Sequence, residues 1–137
     1  MPERIVITGL GAVSPLGLSA EESWRNAVEG VSGVGPITLF DSSDLQVHIA
    51  AEVKNFQPES VMPVREARRR DRFEQFAAVA VKEALEQCGL QATEANAGRI
   101  GVVISSAIGG VQAFNDAVQA VLENNPRRGS PFTIPMM

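Results

Sequence analysis

An α/β fold, with strands and helices alternating along one domain, is what this 137-residue sequence predicts. Three observations carry that reading. Two apolar, β-rich runs, "IVIT" at 5–8 and "RIGVVISSA" at 99–107, lack the polar alternation of a half-exposed strand and read as strands covered on both faces. Between and after them lie segments whose apolar residues recur every three to four positions, the period of one helix face. Glycines and prolines punctuate the boundaries between the two kinds of segment, which together give α/β layering.

Taken in order, the first strand ends at Gly9. Ser19 followed by Glu22 is a capping box, so a helix runs from Ala20 to Glu29 and stops at Gly30. "GVSGVGP" at 30–36 reads as a loop, and "VHIAAEV" at 47–53 as a second strand. Pro58 and Pro63 mark an irregular stretch. Phe73, Phe76, Ala77, Ala80, Val81, Ala84, Leu85 and Cys88 then share one helix face, with Asp71 as cap and Gly89 as stop. The small side chains of "AAVAV" at 77–81 let other backbone approach closely, which predicts a deeply buried helix. After the strand at 99–107, "IGG" at 108–110 leads into a last helix near Val111, which "ENNP" ends at Pro126.

Composition narrows the function classes. At 45% hydrophobic the chain can bury one core. No apolar run approaches the roughly 18 residues needed to span a bilayer, and no secretory leader is visible, so a cytoplasmic protein without membrane attachment is expected. One cysteine excludes an internal disulfide and a cysteine-based zinc site. The net charge of −4 conceals an asymmetry: "REARRRDR" at 65–72 sets five arginines against two acids, a local +3, and leaves −7 for the rest. A nucleic-acid binder is usually basic over the whole domain. A basic island on an acidic chain suits an acidic partner of limited size, which a local patch can steer; a solvated helix start is the plainer reading.

The opening "RIVITGLGAVSPLGLSAEESW" invites comparison with a dinucleotide loop. That loop needs G-x-G-x-x-G with the helix starting inside the motif. Here Ser14 stands where the third glycine belongs, Pro15 follows, and the helix waits until about Ala20. The first acidic residue after an apolar run, Asp41, also falls beyond the roughly 20 residues expected. Gly9 and Gly11 are therefore expected to help the chain turn out of its first strand. Cys88, on an apolar helix face, reads as structural, as does His48, the only histidine, in a strand with no clustered ligands. No catalytic pair and no metal site can be assembled from this inventory. "SSAIGG" at 105–110 places two glycines after a strand's carboxyl end, where α/β proteins hold ligands, or else makes a packing turn. The apolar "GSPFTIPMM" reads as a chain cut in mid-domain or as an interface-forming tail.

Four stretches, "RIVITGLGAVSPLG", "REARRRDRF", "RIGVVISSAIGG" and "NPRRGSPFTIP", together resemble the amino-terminal part of the 3-oxoacyl-[acyl-carrier-protein] synthase II family of condensing enzymes, in the family's order and without large insertion. The resemblance implies a thiolase-like fold, two similar halves in α-β-α-β-α layers, of which residues 1–137 would be most of the first half, ending before the catalytic cysteine. It implies elongation of acyl-carrier protein by decarboxylative Claisen condensation with malonyl-carrier protein in fatty-acid biosynthesis, usually by a homodimer. No cofactor is implied beyond the phosphopantetheine arm of the acyl carrier protein that bears the substrates. The family's cysteine and two histidines match neither Cys88 nor His48, so no catalytic residue is expected in this chain, which alone would be inactive. Binding residues do carry over. Ile108, Gly109 and Gly110 match the acyl tunnel. Phe132, Thr133 and Ile134 match a stretch at the dimer interface that closes the partner's tunnel. Arg65, Arg68, Arg69, Arg127 and Arg128 match the basic surface that meets acyl carrier protein. A non-catalytic chain-length-factor-like subunit of the same fold, or a stand-alone carrier-protein-binding module, are the other readings.

Overall fold

The computed structural model describes residues 4–125 and 129–137, and the chain forms two compact units. The first comprises residues 1–57 and 80–89, the second 58–79 and 90–137.

In the first unit, α1 (Ala20–Val28) begins where the capping box places it. The Ser19 hydroxyl accepts the Glu22 N–H at 3.1 Å, but the Glu22 carboxylate reaches past Ser19 and takes the Leu18 N–H at 2.7 Å. A first-turn donor with no partner inside the helix, Ala20 N–H, goes to Glu83, whose carboxylate accepts it at 2.9 Å together with the Ala12 N–H at 2.9 Å. A carboxylate at a helix N-terminus satisfies orphan donors and complements the macrodipole. α1 ends at Gly30 in the left-handed region, φ 70°.

Gly9 and Gly11 do a different job from the one expected. Neither has positive φ; the reversal comes later, where Ser14 and Gly17 exchange N–H···O bonds of 2.9 and 3.1 Å. Instead both glycines lie on the backbone of the long helix. A Cβ on Gly9 would stand 2.2 Å from the Ala84 carbonyl oxygen, and one on Gly11 1.8 Å from that of Ala80. Ala80 and Ala84 are one helical turn apart, so the segment lies along a ridge of alanines that only glycine can approach so closely. Gln87 extends the same seam by accepting the Leu10 N–H.

The segment expected to be a loop contains a strand. β1 (Val34–Pro36) pairs antiparallel with β2 (Ile49–Ala51), in the register Val34 with Ala51 and Pro36 with Ile49. Proline is tolerated because this two-stranded ribbon has only edges. β2 is shorter than the 47–53 expected, and His48 lies just outside it, exposed, its carbonyl accepting the Ile37 N–H at 2.9 Å. Glu52, only 8% exposed, closes the ribbon by accepting the Thr38 hydroxyl at 2.6 Å and the Thr38 and Leu39 N–H groups at 3.0 and 3.2 Å. The Thr38 hydroxyl above all, then its N–H, holds the Glu52 carboxyl below the ordinary value of 4.5. A depressed acid stabilises the fold above its unfolded pKa, and that contribution disappears as pH falls through the folded value. The Thr38 amide resonance should therefore titrate with a midpoint below 4.5; a midpoint at or above it would contradict the assignment.

α2 (Val64–Ala67), α4 (Val111–Leu122) and the first turns of α3 (Arg72–Cys88) belong to the second unit. α3 has the expected bounds: Glu74 reaches back to the Asp71 N–H at 2.9 Å, and Gly89, φ 66°, stops it. It is half-buried rather than deeply buried, with no fully buried residue. α4 likewise starts where expected, with Gly110 at its N-cap in the left-handed region, and ends at Leu122, with Asn124 of the "ENNP" stretch at φ 50°; Pro126, the expected stop, lies outside the described residues.

The two apolar runs expected as covered strands join no ladder among the described residues, and their side chains are open: Ile5 is 97% exposed and Val103 95%. A strand exists only by its neighbour's hydrogen bonds, so an apolar run without a paired strand remains extended chain. Among the described residues, the buried apolar ones are Met62, Ala67 and Ala120, all in the second unit. Among the described residues, no helix is long and apolar enough to cross a membrane.

Candidate functional site

The arginine-rich segment follows Pro63, which fixes the start of α2, and continues for one turn beyond it through Arg69 N–H to Glu66 C=O and Arg70 N–H to Ala67 C=O bonds. Buried Ala67 anchors this turn. Gln75 of α3 ties it down by donating to the carbonyls of Ala67 and Arg70, both at 2.9 Å. Helical spacing then sets Arg65, Arg68 and Arg69 on one side, since they are three and four residues apart.

The five arginines of the segment are not equivalent. Arg70 lies between Glu66 at 3.0 Å and Glu74 at 3.4 Å, so its charge is already answered. Arg72 stacks over Phe76, 4.9 Å from the ring centroid. Arg65 and Arg68 are exposed and have no ion-pair partner among the described residues. Arg69, also exposed, places its guanidinium 4.7 Å from the centroid of Phe132. Pro63, Arg65, Glu66, Arg69 and Arg70 line a shallow depression. Arg127 and Arg128, the other basic residues of interest, lie outside the described residues. The E-x-x-x-R-x-x-x-E spacing of Glu66, Arg70 and Glu74 was the sequence signal that separates Arg70 from its neighbours.

The second group sits in the same unit. Residues 130–137 form successive turns: Ser130 Oγ accepts the Phe132 N–H at 3.1 Å, the Thr133 hydroxyl donates to Ser130 C=O at 2.8 Å, and Met136 N–H donates to Phe132 C=O at 3.0 Å. This tail lies against the 108–110 turn. A Cβ on Gly110 would be 2.3 Å from the Met136 carbonyl oxygen, and one on Gly109 would be 2.7 Å from Phe73 Cζ and 2.9 Å from the Met137 carbonyl oxygen. Ile108 is 78% exposed and Ile134 80%, whereas Phe132 and Thr133 are half-buried. Cys88 is half-buried and donates weakly to Leu85 C=O at 3.4 Å, a helix-internal bond.

The sequence pattern described as "Beta-ketoacyl synthase, N-terminal domain" matches residues 2–137. The chain belongs to that family. This ketoacyl synthase domain is 46% identical over 135 residues to a 3-oxoacyl-[acyl-carrier-protein] synthase 2 of Staphylococcus aureus, covering 98% of this chain and 33% of that protein. It is 42% identical over 135 residues to the protein of the same name from a Synechocystis species, covering 98% and 32%. The chain thus spans about a third of the length of the curated relatives it matches. Among solved structures, a beta-ketoacyl synthase from Burkholderia phymatum superposes with a TM-score of 0.77 at 24% identity, over 96% of this chain and 33% of that one. A type II polyketide ketosynthase solved with its acyl-carrier protein gives 0.71 at 20% identity, over 96% and 34%. The fold is the thiolase-like α/β fold of the ketosynthases.

Proposed function

We propose that this ketoacyl synthase domain is the leading part of a condensing enzyme of fatty-acid synthesis, one that binds acyl carrier protein through Arg65, Arg68, Arg69, Arg127 and Arg128. The observation that carries the reading is three exposed arginines in and just after a short anchored helix, Arg65 and Arg69 lining one depression and Arg68 at helical spacing from Arg65, with a fourth, Arg70, neutralised beside them. Such a surface suits a small acidic protein rather than a nucleic acid, because the rest of the chain is acidic. Ile108, Gly109 and Gly110, with Phe132, Thr133 and Ile134, are proposed to contact the acyl chain at a homodimer interface.

The reaction would run in two steps. A cysteine thiolate outside these residues attacks the acyl-carrier thioester, expelling the carrier thiol. Loss of CO2 from malonyl-carrier protein then leaves a carbanion, which attacks the enzyme-bound thioester, forms the new C–C bond and returns the cysteine. Cys88 takes no part: its thiol sits in the last turn of α3, bonded to its own helix. The open apolar runs around Ile5 and Val103 support a chain completed by further structure; the cytoplasm is its proposed place of action.

The test is turnover by the longer protein with acyl- and malonyl-carrier protein. One CO2 per 3-oxoacyl product is expected, unchanged in Cys88→Ala. Decarboxylation by residues 1–137 alone, abolished by Cys88→Ala, would overturn the reading. Carrier-protein binding without condensation would point to a chain-length-factor-like subunit instead.

A further inference from the structure

We propose that Arg69 couples the basic surface to the acyl-binding segment: an acidic partner and the Phe132 ring compete for the same guanidinium, so docking releases Phe132. The inference rests on the carrier-protein reading for its natural partner but not for its geometry. The chain of contacts is continuous within one unit. Arg69 covers Phe132 at 4.7 Å; Phe132 C=O accepts the Met136 N–H; the Met136 carbonyl oxygen and Met137 lie where Cβ atoms on Gly110 and Gly109 would be, next to Ile108. Phe132 is thus held from both sides, by its backbone in the 130–137 turns and by Arg69 over its ring.

The competition follows from bond strengths. An exposed guanidinium over a half-buried ring keeps its face to the ring but leaves its N–H donors to water. A carboxylate engages those donors with charge-assisted, bidentate geometry, the stronger and more directional interaction. Arg65 and Arg68, without ion pairs of their own among the described residues, hold an acidic partner on the same side of the turn. When the partner takes Arg69, the ring loses its cover and the tail can move relative to the 108–110 turn. Coupling is reciprocal: whatever fixes Phe132 elsewhere makes Arg69 more available to the partner. Such coupling would stage acyl delivery, loosening the segment proposed to contact the acyl chain only when a loaded carrier is docked.

The test places 4-fluorophenylalanine at position 132 of the longer protein and follows its fluorine resonance during titration with acyl carrier protein and, separately, with a polyglutamate peptide, while binding is measured by fluorescence anisotropy. Both ligands should shift the resonance in the wild-type background. Arg69→Ala should begin near the shifted position and respond to neither, although Arg65 and Arg68 keep carrier binding within about five-fold, the size of a modest coupling. A resonance that Arg69→Ala leaves in place, or that neither ligand moves, overturns the coupling whatever binds. A resonance that polyglutamate moves while acyl carrier protein fails to bind leaves the coupling standing and overturns the carrier-protein reading.

Discussion

Gly11→Ala should unfold the first unit or cost about 3–5 kcal/mol in chemical denaturation, above the usual range for overpacking. The reason is what the new methyl would meet. At 1.8 Å from the Ala80 carbonyl oxygen and 3.0 Å from the Ala84 nitrogen, it collides with helix backbone on one side and carries its own backbone on the other. No rotamer relieves such a contact, and Ala80→Gly would not rescue it, because the atom struck is a carbonyl oxygen rather than a side chain. The loop can escape only by lifting off α3, which breaks the Ala12 N–H bond to Glu83 and the Leu10 N–H bond to Gln87. Two other glycines calibrate the effect. Gly30→Ala meets nothing within 4 Å but must hold φ 70°, and should cost about 1 kcal/mol. Gly98→Ala meets nothing and needs no positive φ, so it should be neutral or slightly stabilising. A Gly11→Ala effect no larger than that of Gly30→Ala would refute the close approach.

That comparison also separates what the residues disclose locally from what they do not. The helices were legible because their signals are local: Ser19 with Glu22, Asp71, Gly30, Gly89 and the three-to-four spacing of Phe73 to Cys88 all act within a few turns. The role of Gly9 and Gly11 was not, because it depends on Ala80 and Ala84, some seventy residues on. Glu83 escaped notice for the same reason; nothing in its neighbourhood says that it will cap a helix sixty-three residues away. β1 was hidden by composition, since a Gly-Pro segment becomes a strand only when Ile49–Ala51 lies beside it. The apolar runs misled in the opposite sense: side-chain character announces burial and strand propensity, but hydrogen-bond partners come from elsewhere in a fold. Of the candidate site, the positive charge was plain in the sequence, whereas the contact of Arg69 with Phe132 joins positions that no local pattern connects.

Charge reversal at Arg65, Arg68 and Arg69 to glutamate should weaken acyl-carrier-protein binding about a hundredfold at low ionic strength while leaving the fold intact. Each exposed arginine contributes about 1 kcal/mol when a favourable pair is replaced by a repulsive one, so three contribute about 3 kcal/mol, and 1.4 kcal/mol is tenfold in Kd. The three side chains are exposed and support no ion pair among the described residues, so their loss removes little from the folded state beyond the cover of Arg69 over Phe132. Arg70→Ala is the internal control. Its guanidinium is held by Glu66 and Glu74, so its removal leaves those acids unanswered and changes binding by less than about threefold through their modest long-range repulsion. The expected ordering is opposite to the one a uniform cloud of positive charge would give, in which all the arginines of the segment count alike. Raising salt until the Debye length falls to about 3 Å, near 1 M, should collapse the difference between wild type and the triple variant. A triple variant that binds as tightly as wild type at low salt removes the proposed carrier-protein surface, and an Arg70→Ala effect as large as that of any single reversal removes the distinction between paired and unpaired arginines on which the surface is drawn.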